Sequence, residues 1–116
     1  MQVKIYHNPK CSKSRQTLEI IQENGFEPII LEYLQSPPNH QELDSILQGL
    51  GMDPRDLMRK GESEYTEYNL ADELLSRDEL IDAIVKYPKL LERPVVLVGN
   101  QVVIGRPPES VLTILP

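Results

Sequence analysis

The chain reads as an α/β protein: βαβ, then ββα, around a mixed four-stranded sheet, with a helical insertion at about residues 39–87. Three observations predict it. The alternating segment VKIYH and the apolar run PIILEYL flank a single helix-length stretch. Late in the chain, PVVLV and QVVIG are separated only by Gly99-Asn100, the signature of a hairpin. Between these halves, Asn39-x-x-Glu42 and Ser76-x-x-Glu79 mark helix starts rather than strands.

Each element follows in order. VKIYH alternates with a period of two and predicts the first strand. Residues 12–24 predict a helix with Leu18 and Ile21 inward and Gly25 as its stop. PIILEYL, residues 28–34, predicts a second strand, parallel to the first because a helix intervenes. After the loop QSPPN, Asn39 caps a helix that ends near Gly49-Leu50-Gly51. Asp53 as cap, Pro54 in the first turn and Asp56 predict a further helix to about Lys60, stopped by Gly61. Residues 62–75 are ambiguous, with a short helix around Tyr65 as one reading. Ser76 opens another helix that ends before Pro88. In the hairpin, Gly99 as first central residue fits a type II′ turn. Arg106-Pro107-Pro108 closes the last strand, and ESVLTIL predicts a final helix.

A length of 116 residues suits one domain. A net charge of -6 argues against a nucleic-acid partner, which calls for a basic surface. It fits a small ligand bound at a local positive site. No apolar run approaches the roughly 20 residues of a membrane span. The N-terminus lacks the pattern of a signal peptide, and one cysteine cannot build a disulfide framework. The expected compartment is the cytoplasm, and the expected state a monomer without membrane contact.

That cysteine, Cys11, stands where the loop after the first strand enters the first helix. A free thiol, with a pKa of about 8.5, is mostly protonated at neutral pH, yet the thiolate is the nucleophile. Unpaired N–H groups at a helix start favour an anion. The hydroxyls of Ser12 and Ser14 are candidate donors to the sulfur, and Lys10, Lys13 and Arg15 add positive charge. Ser14 occupies the place of the second cysteine in CxxC oxidoreductases, so no internal resolving thiol remains. The plainer reading, a small buried hydrophobe, sits poorly with polar neighbours on both sides.

The hairpin supplies a second feature. Counting outward from Gly99-Asn100 pairs Val98 with Gln101, Val96 with Val103 and Arg93 with Arg106. Like charges directly opposed are unfavourable unless an anion lies between them. Two planar guanidinium forks suit a tetrahedral oxyanion. The competing reading turns them to solvent or pairs them with Glu92 and Glu109. His7 and Cys11 are too few ligands for a metal, and none is expected. Lys10 and Lys13 steer anions or solvate the loop. Tyr65 and Tyr68 line the mouth or pack.

Taken together, KIYHNPKCSKSRQTL, LMRK, ERPVVL and IGRPPESVL resemble the ArsC-type, glutaredoxin-coupled arsenate reductases of the thioredoxin superfamily, in their chromosomal, YfgD-like branch. The resemblance runs from about residue 3 to the end. It implies a single thioredoxin-like (glutaredoxin-like) domain over residues 1–116. It implies that Cys11 is the nucleophile and that Arg59, Arg93 and Arg106 bind the oxyanion. His7 and Ser14 match positions that tune the cysteine, and Asn8 lies in the active-site loop. Arg93-Pro94 matches the superfamily's cis X–Pro bond. The implied reaction is arsenate to arsenite, with no bound cofactor, glutathione as co-substrate and glutaredoxin as the partner that restores the thiol. Ser12-Lys13 departs from the Gly-Thr of the family's well-studied reductases. Two other functions compete: a glutathione-linked thiol oxidoreductase on another substrate, and an Spx-like adaptor that binds RNA polymerase. Ser14 removes the CxxC switch of the redox-switched adaptors, and the adaptor gives no reason for facing arginines.

Overall fold

Alternation in the first strand translates directly into a sheet. In the computed structural model, which describes residues 2–116, β1 (Val3–His7) is the second strand of a four-stranded sheet ordered β2-β1-β3-β4. It runs parallel to β2 (Ile29–Glu32), with Ile5 beside Ile30 and His7 beside Glu32. It runs antiparallel to β3 (Val95–Val98), which pairs antiparallel with β4 (Gln101–Ile104). The sheet is mixed, as the element order predicts.

The chain folds into two compact units. The first comprises the sheet unit, up to Ser36 and again from Arg93 to Pro116; the second is Pro37–Glu92. In the sheet unit, α1 (Ser12–Glu23) covers one face. Val3, Ile5, Ile21, Val96, Val98 and Val111 form its buried core, with Leu18, Phe26 and Val103 packed against them. α1 ends in a Schellman motif: the N–H of Phe26 reaches the carbonyl of Ile21, and that of Gly25 the carbonyl of Gln22. Gly25 takes φ 87° there, the conformation for which a residue without Cβ is suited. The hairpin turn has Gly99 at φ 60°, and Asn100 is not at positive φ, as a type II′ turn requires.

Two elements of this unit depart from expectation. β2 is shorter than residues 28–34, because the chain turns after Glu32: the N–H groups of Gln35 and Ser36 both bond its carbonyl. The turn drives Tyr33 inward, where it is fully buried. The closing helix is a 3-10 segment, Pro108–Thr113, rather than an α-helix. Pro107 and Pro108 offer no N–H to an opening turn, and the β-branched Val111 and Thr113 weaken helical preference further.

The second unit holds α2 (His40–Leu50), α3 (Ser63–Glu67) and α4 (Arg77–Lys86). Both predicted capping boxes form, with reciprocal bonds of 2.8 and 3.1 Å at Asn39–Glu42 and 3.1 and 3.2 Å at Ser76–Glu79. Leu43, Ile46 and Leu47 of α2 and Leu80, Ile81 and Ile84 of α4 are buried. His40 bonds Asp82 at 2.7 Å, and Arg77 bonds Asp44 at 2.6 Å, tying α2 to α4 at the surface. The helix expected from Asp53 to Lys60 is replaced by a 3-10 turn, Pro54–Leu57. Met58 then extends and pairs with Leu91, while Arg59 N–H bonds Leu90 and Glu92 N–H bonds Leu57. These bonds use the donors and acceptors that a continued helix would need, so LMRK leaves the helical conformation after Leu57. Among the described residues, no helix is long and apolar enough to cross a membrane.

Candidate active site

The loop from β1 to α1 is closed by its own side chains. Asn8, buried, accepts the N–H of Lys10 on its side-chain oxygen and that of Cys11 on its carbonyl, both at 3.0 Å. Arg15 donates from Nη1 to the carbonyl of Pro9 at 2.9 Å. Cys11 is thereby held as the N-cap of α1, in extended conformation with φ -95° and ψ 123°. An N-cap side chain faces the free N–H groups of the first turn. Here that side chain is a half-buried thiol.

Three groups decide its ionisation. Burial pushes the Cys11 thiol up, but the N–H of Ser14, the Arg93 guanidinium and the N–H of Lys13 outweigh it and bring the thiol below its ordinary value. It is the Ser14 amide, not its hydroxyl, that serves the sulfur. The Ser14 hydroxyl is fully buried and engaged elsewhere: His7 Nδ1 lies 2.6 Å away, and the N–H of Asn8 donates to it at 3.0 Å. His7 therefore acts on the cysteine only through Ser14 and the loop. Its pKa is lowered by burial, against the pull of Glu32 and with the help of Arg15, so it is neutral at physiological pH.

The two hairpin arginines converge on the sulfur by a route that strand counting misses. The ladder ends at Val95 and Ile104, one further bond joins Gly105 N–H to the Pro94 carbonyl, and the chain then turns. Arg93 and Arg106 are thus not a directly opposed strand pair. Arg106 Nε donates to the Arg93 carbonyl at 2.8 Å, and its Nη2 stands 3.9 Å from Cys11 Sγ. The Arg93 guanidinium acts on the same sulfur, favouring its anionic form. The Arg93-Pro94 peptide is cis, as the resemblance implies; Arg106-Pro107 is cis as well, which nothing in the sequence anticipates.

Arg59 belongs to the second unit, where it is half-buried with Nη1 3.4 Å from Glu62 Oε1. The structure brings His7, Asn8, Cys11, Ser14, Arg93, Pro94 and Arg106 together within the sheet unit. Among the described residues, no cluster of three or more His, Cys, Asp or Glu side chains could hold a metal ion.

Two residues are missed by sequence reasoning. Tyr33, fully buried, sets its phenol against Arg93; burial lowers the arginine pKa, but the sulfur and the phenol raise it overall. Gly105 precedes Arg106 and packs against Thr17 and Pro94. No local pattern marks either, since both act across the fold.

Alkylation of Cys11 by iodoacetamide is expected to reach half its plateau at a pH below that of free cysteine, about 8.5. Because folding favours the thiolate, this contribution to stability is full above the unfolded value and is lost as pH falls through the folded one. A midpoint at or above the free value would refute the arrangement. Tyr33→Phe is expected to raise that midpoint and to slow turnover roughly ten-fold, about the worth of one bond to a charged group. An unchanged midpoint would leave Tyr33 a packing residue only.

The sheet order and the site geometry can be set against known proteins. The model of the ArsC family matches residues 6–114. The uncharacterized protein YfgD of Escherichia coli is 53% identical, over 98% of this chain and 97% of its own. The arsenate reductase of Haemophilus influenzae is 48% identical, over 99% and 100%. Among solved structures, the arsenate reductase from Vibrio cholerae superposes with a TM-score of 0.96 at 48% identity, covering 99% of this chain and 98% of that one. The fold is thioredoxin-like, and the chain belongs to the ArsC family.

Proposed function

We propose that the protein reduces arsenate to arsenite, with Cys11 as the nucleophile. The observation that carries this reading is a single thiol, held toward its anionic form at a helix start, with guanidinium groups from Arg93 and Arg106 on the same sulfur. Arg93 Nε adds support: it is buried and bonds no acceptor among the described residues, so the arginine has donor capacity to spare for an oxyanion.

In the first step, arsenate docks on the α1 amides, Arg93 and Arg106; the family resemblance assigns Arg59 the role of a third oxyanion arginine. Thiolate attack forms a sulfur–arsenic bond, and one oxygen leaves as water or hydroxide. Reduction of As(V) to As(III) needs two electrons. The Cys11 sulfur and one external thiol supply them by joining in a disulfide. The chain has one cysteine, so that second thiol is not its own. Glutathione fills the role, arsenite departs, and glutaredoxin returns Cys11 to the thiol. His7, Asn8 and Ser14 hold the loop in the geometry that lowers the Cys11 pKa. Pro94 holds Arg93 at the sulfur. The cycle needs no bound cofactor, runs on a monomer and suits a reducing compartment such as the cytoplasm.

The test is arsenite release from arsenate, measured with purified protein, glutathione and glutaredoxin. Turnover is expected only when all three are present. Arsenite no higher than the protein-free blank would overturn the reading. Reduction of oxidised thiols without reduction of arsenate would assign the site to thiol oxidoreductase chemistry instead.

A further inference from the structure

The Cys11 loop also borders a cleft. Pro9 and Lys10, which lead into the cysteine, and Glu32, Leu34 and Gln35, which lead out of β2, line a cavity of about 150 Å³. By liquid volume that is room for about five waters, the scale of one amino-acid headgroup rather than a whole tripeptide. Its walls carry opposite charges, Lys10 on the loop and Glu32 at the end of β2. No salt bridge among the described residues engages either. Leu34 adds an apolar wall that is 42% exposed.

An oxyanion site alone gives no reason for this pattern, because a carboxylate repels arsenate. A zwitterion matches it: an ammonium beside Glu32 and a carboxylate beside Lys10. That pair of charges is the amino-acid end of a γ-glutamyl thiol, several bonds removed from its sulfur. We infer that the cleft between Pro9-Lys10 and Glu32–Gln35 binds the γ-glutamyl head of glutathione, with Glu32 on its ammonium and Lys10 on its carboxylate. Leu34 and Pro9 pack against the two methylenes that lead from that charged α-carbon toward the γ-amide. The inference rests on the reading of Cys11 as a reactive sulfur that an external thiol must regenerate, and it names the groups that select that thiol.

The experiment needs no arsenate. Cys11 thiolate attacks one sulfur of glutathione disulfide: the S–S bond breaks, a Cys11–glutathione disulfide forms and one glutathione thiolate leaves. Mass spectrometry follows its rate for the wild type, Glu32→Gln and Lys10→Gln. Each rate is divided by that with hydroxyethyl disulfide, which lacks both charges. A third disulfide, of N-acetylcysteinylglycine, keeps the peptide but lacks the γ-glutamyl head.

Wild type is expected to favour glutathione disulfide by roughly five-fold or more over the truncated peptide, the worth of about one exposed ion pair. Each substitution should remove most of that preference. The same preference in Glu32→Gln as in wild type, or none in wild type, would overturn the inference. Preference without arsenite formation refutes the arsenate reading alone; arsenite formation without preference refutes the cleft alone.

Discussion

Cys11→Ser is expected to lower arsenate reduction by at least ~10³-fold, to the level of the uncatalysed reaction with glutathione. The reason is electronic rather than structural. Serine can accept the same N–H groups as an N-cap, and the side chain is only half-buried, so the fold should persist. A hydroxyl, however, is not appreciably ionised at neutral pH and cannot join a second thiol in a disulfide. With no other cysteine in the chain, no thiol of the protein remains to attack arsenic or to enter a disulfide. Circular dichroism should show the wild-type fold, and an arsenite assay should show the loss. Equal rates in the two proteins would remove Cys11 from the chemistry.

Gly105→Ala carries the largest expected structural effect. A Cβ there would stand 2.5 Å from Thr17 Oγ1, 2.7 Å from Pro94 Cγ and 3.0 Å from Thr17 Cγ2. The glycine is needed for space. Neither neighbour yields easily: Thr17 is fully buried, and its hydroxyl donates to the Lys13 carbonyl at 2.8 Å. Pro94 is buried and directly follows Arg93. Overpacking of this kind costs roughly 1–3 kcal/mol, or about 4 °C in melting temperature for each kcal/mol. The strain also falls on the three segments that carry Cys11, Arg93 and Arg106, so activity should fall further than the lost stability explains. Thr17→Ala removes two of the three close contacts, and the double variant should regain part of both losses. A melting temperature within about 1 °C of wild type, roughly the experimental scatter on this scale, would mean that the strands adjust freely.

Read from the sequence, most of the scaffold was legible. The element order, parallel β1–β2 pair, hairpin register from Val98–Gln101 to Val96–Val103, both capping boxes and the cysteine at a helix entrance all appear in the structure. Two of the failures share one cause. The Ser14 hydroxyl, expected at the sulfur, bonds the ring of His7, and the LMRK segment gives up its helix to pair with Leu91. In both, a partner outside the local stretch took the hydrogen bond.

What the chain determined by itself is what neighbours along it decide. Caps, turns and alternation depend on groups a few residues apart, and each is readable as a pattern. Tertiary structure alone decided the rest: Tyr33 against Arg93, Thr17 against Gly105, and the Arg106 guanidinium near Cys11 Sγ. These partners lie far apart in sequence, and each contact exists only because packed elements leave one place for the side chain and one unclaimed group to meet it.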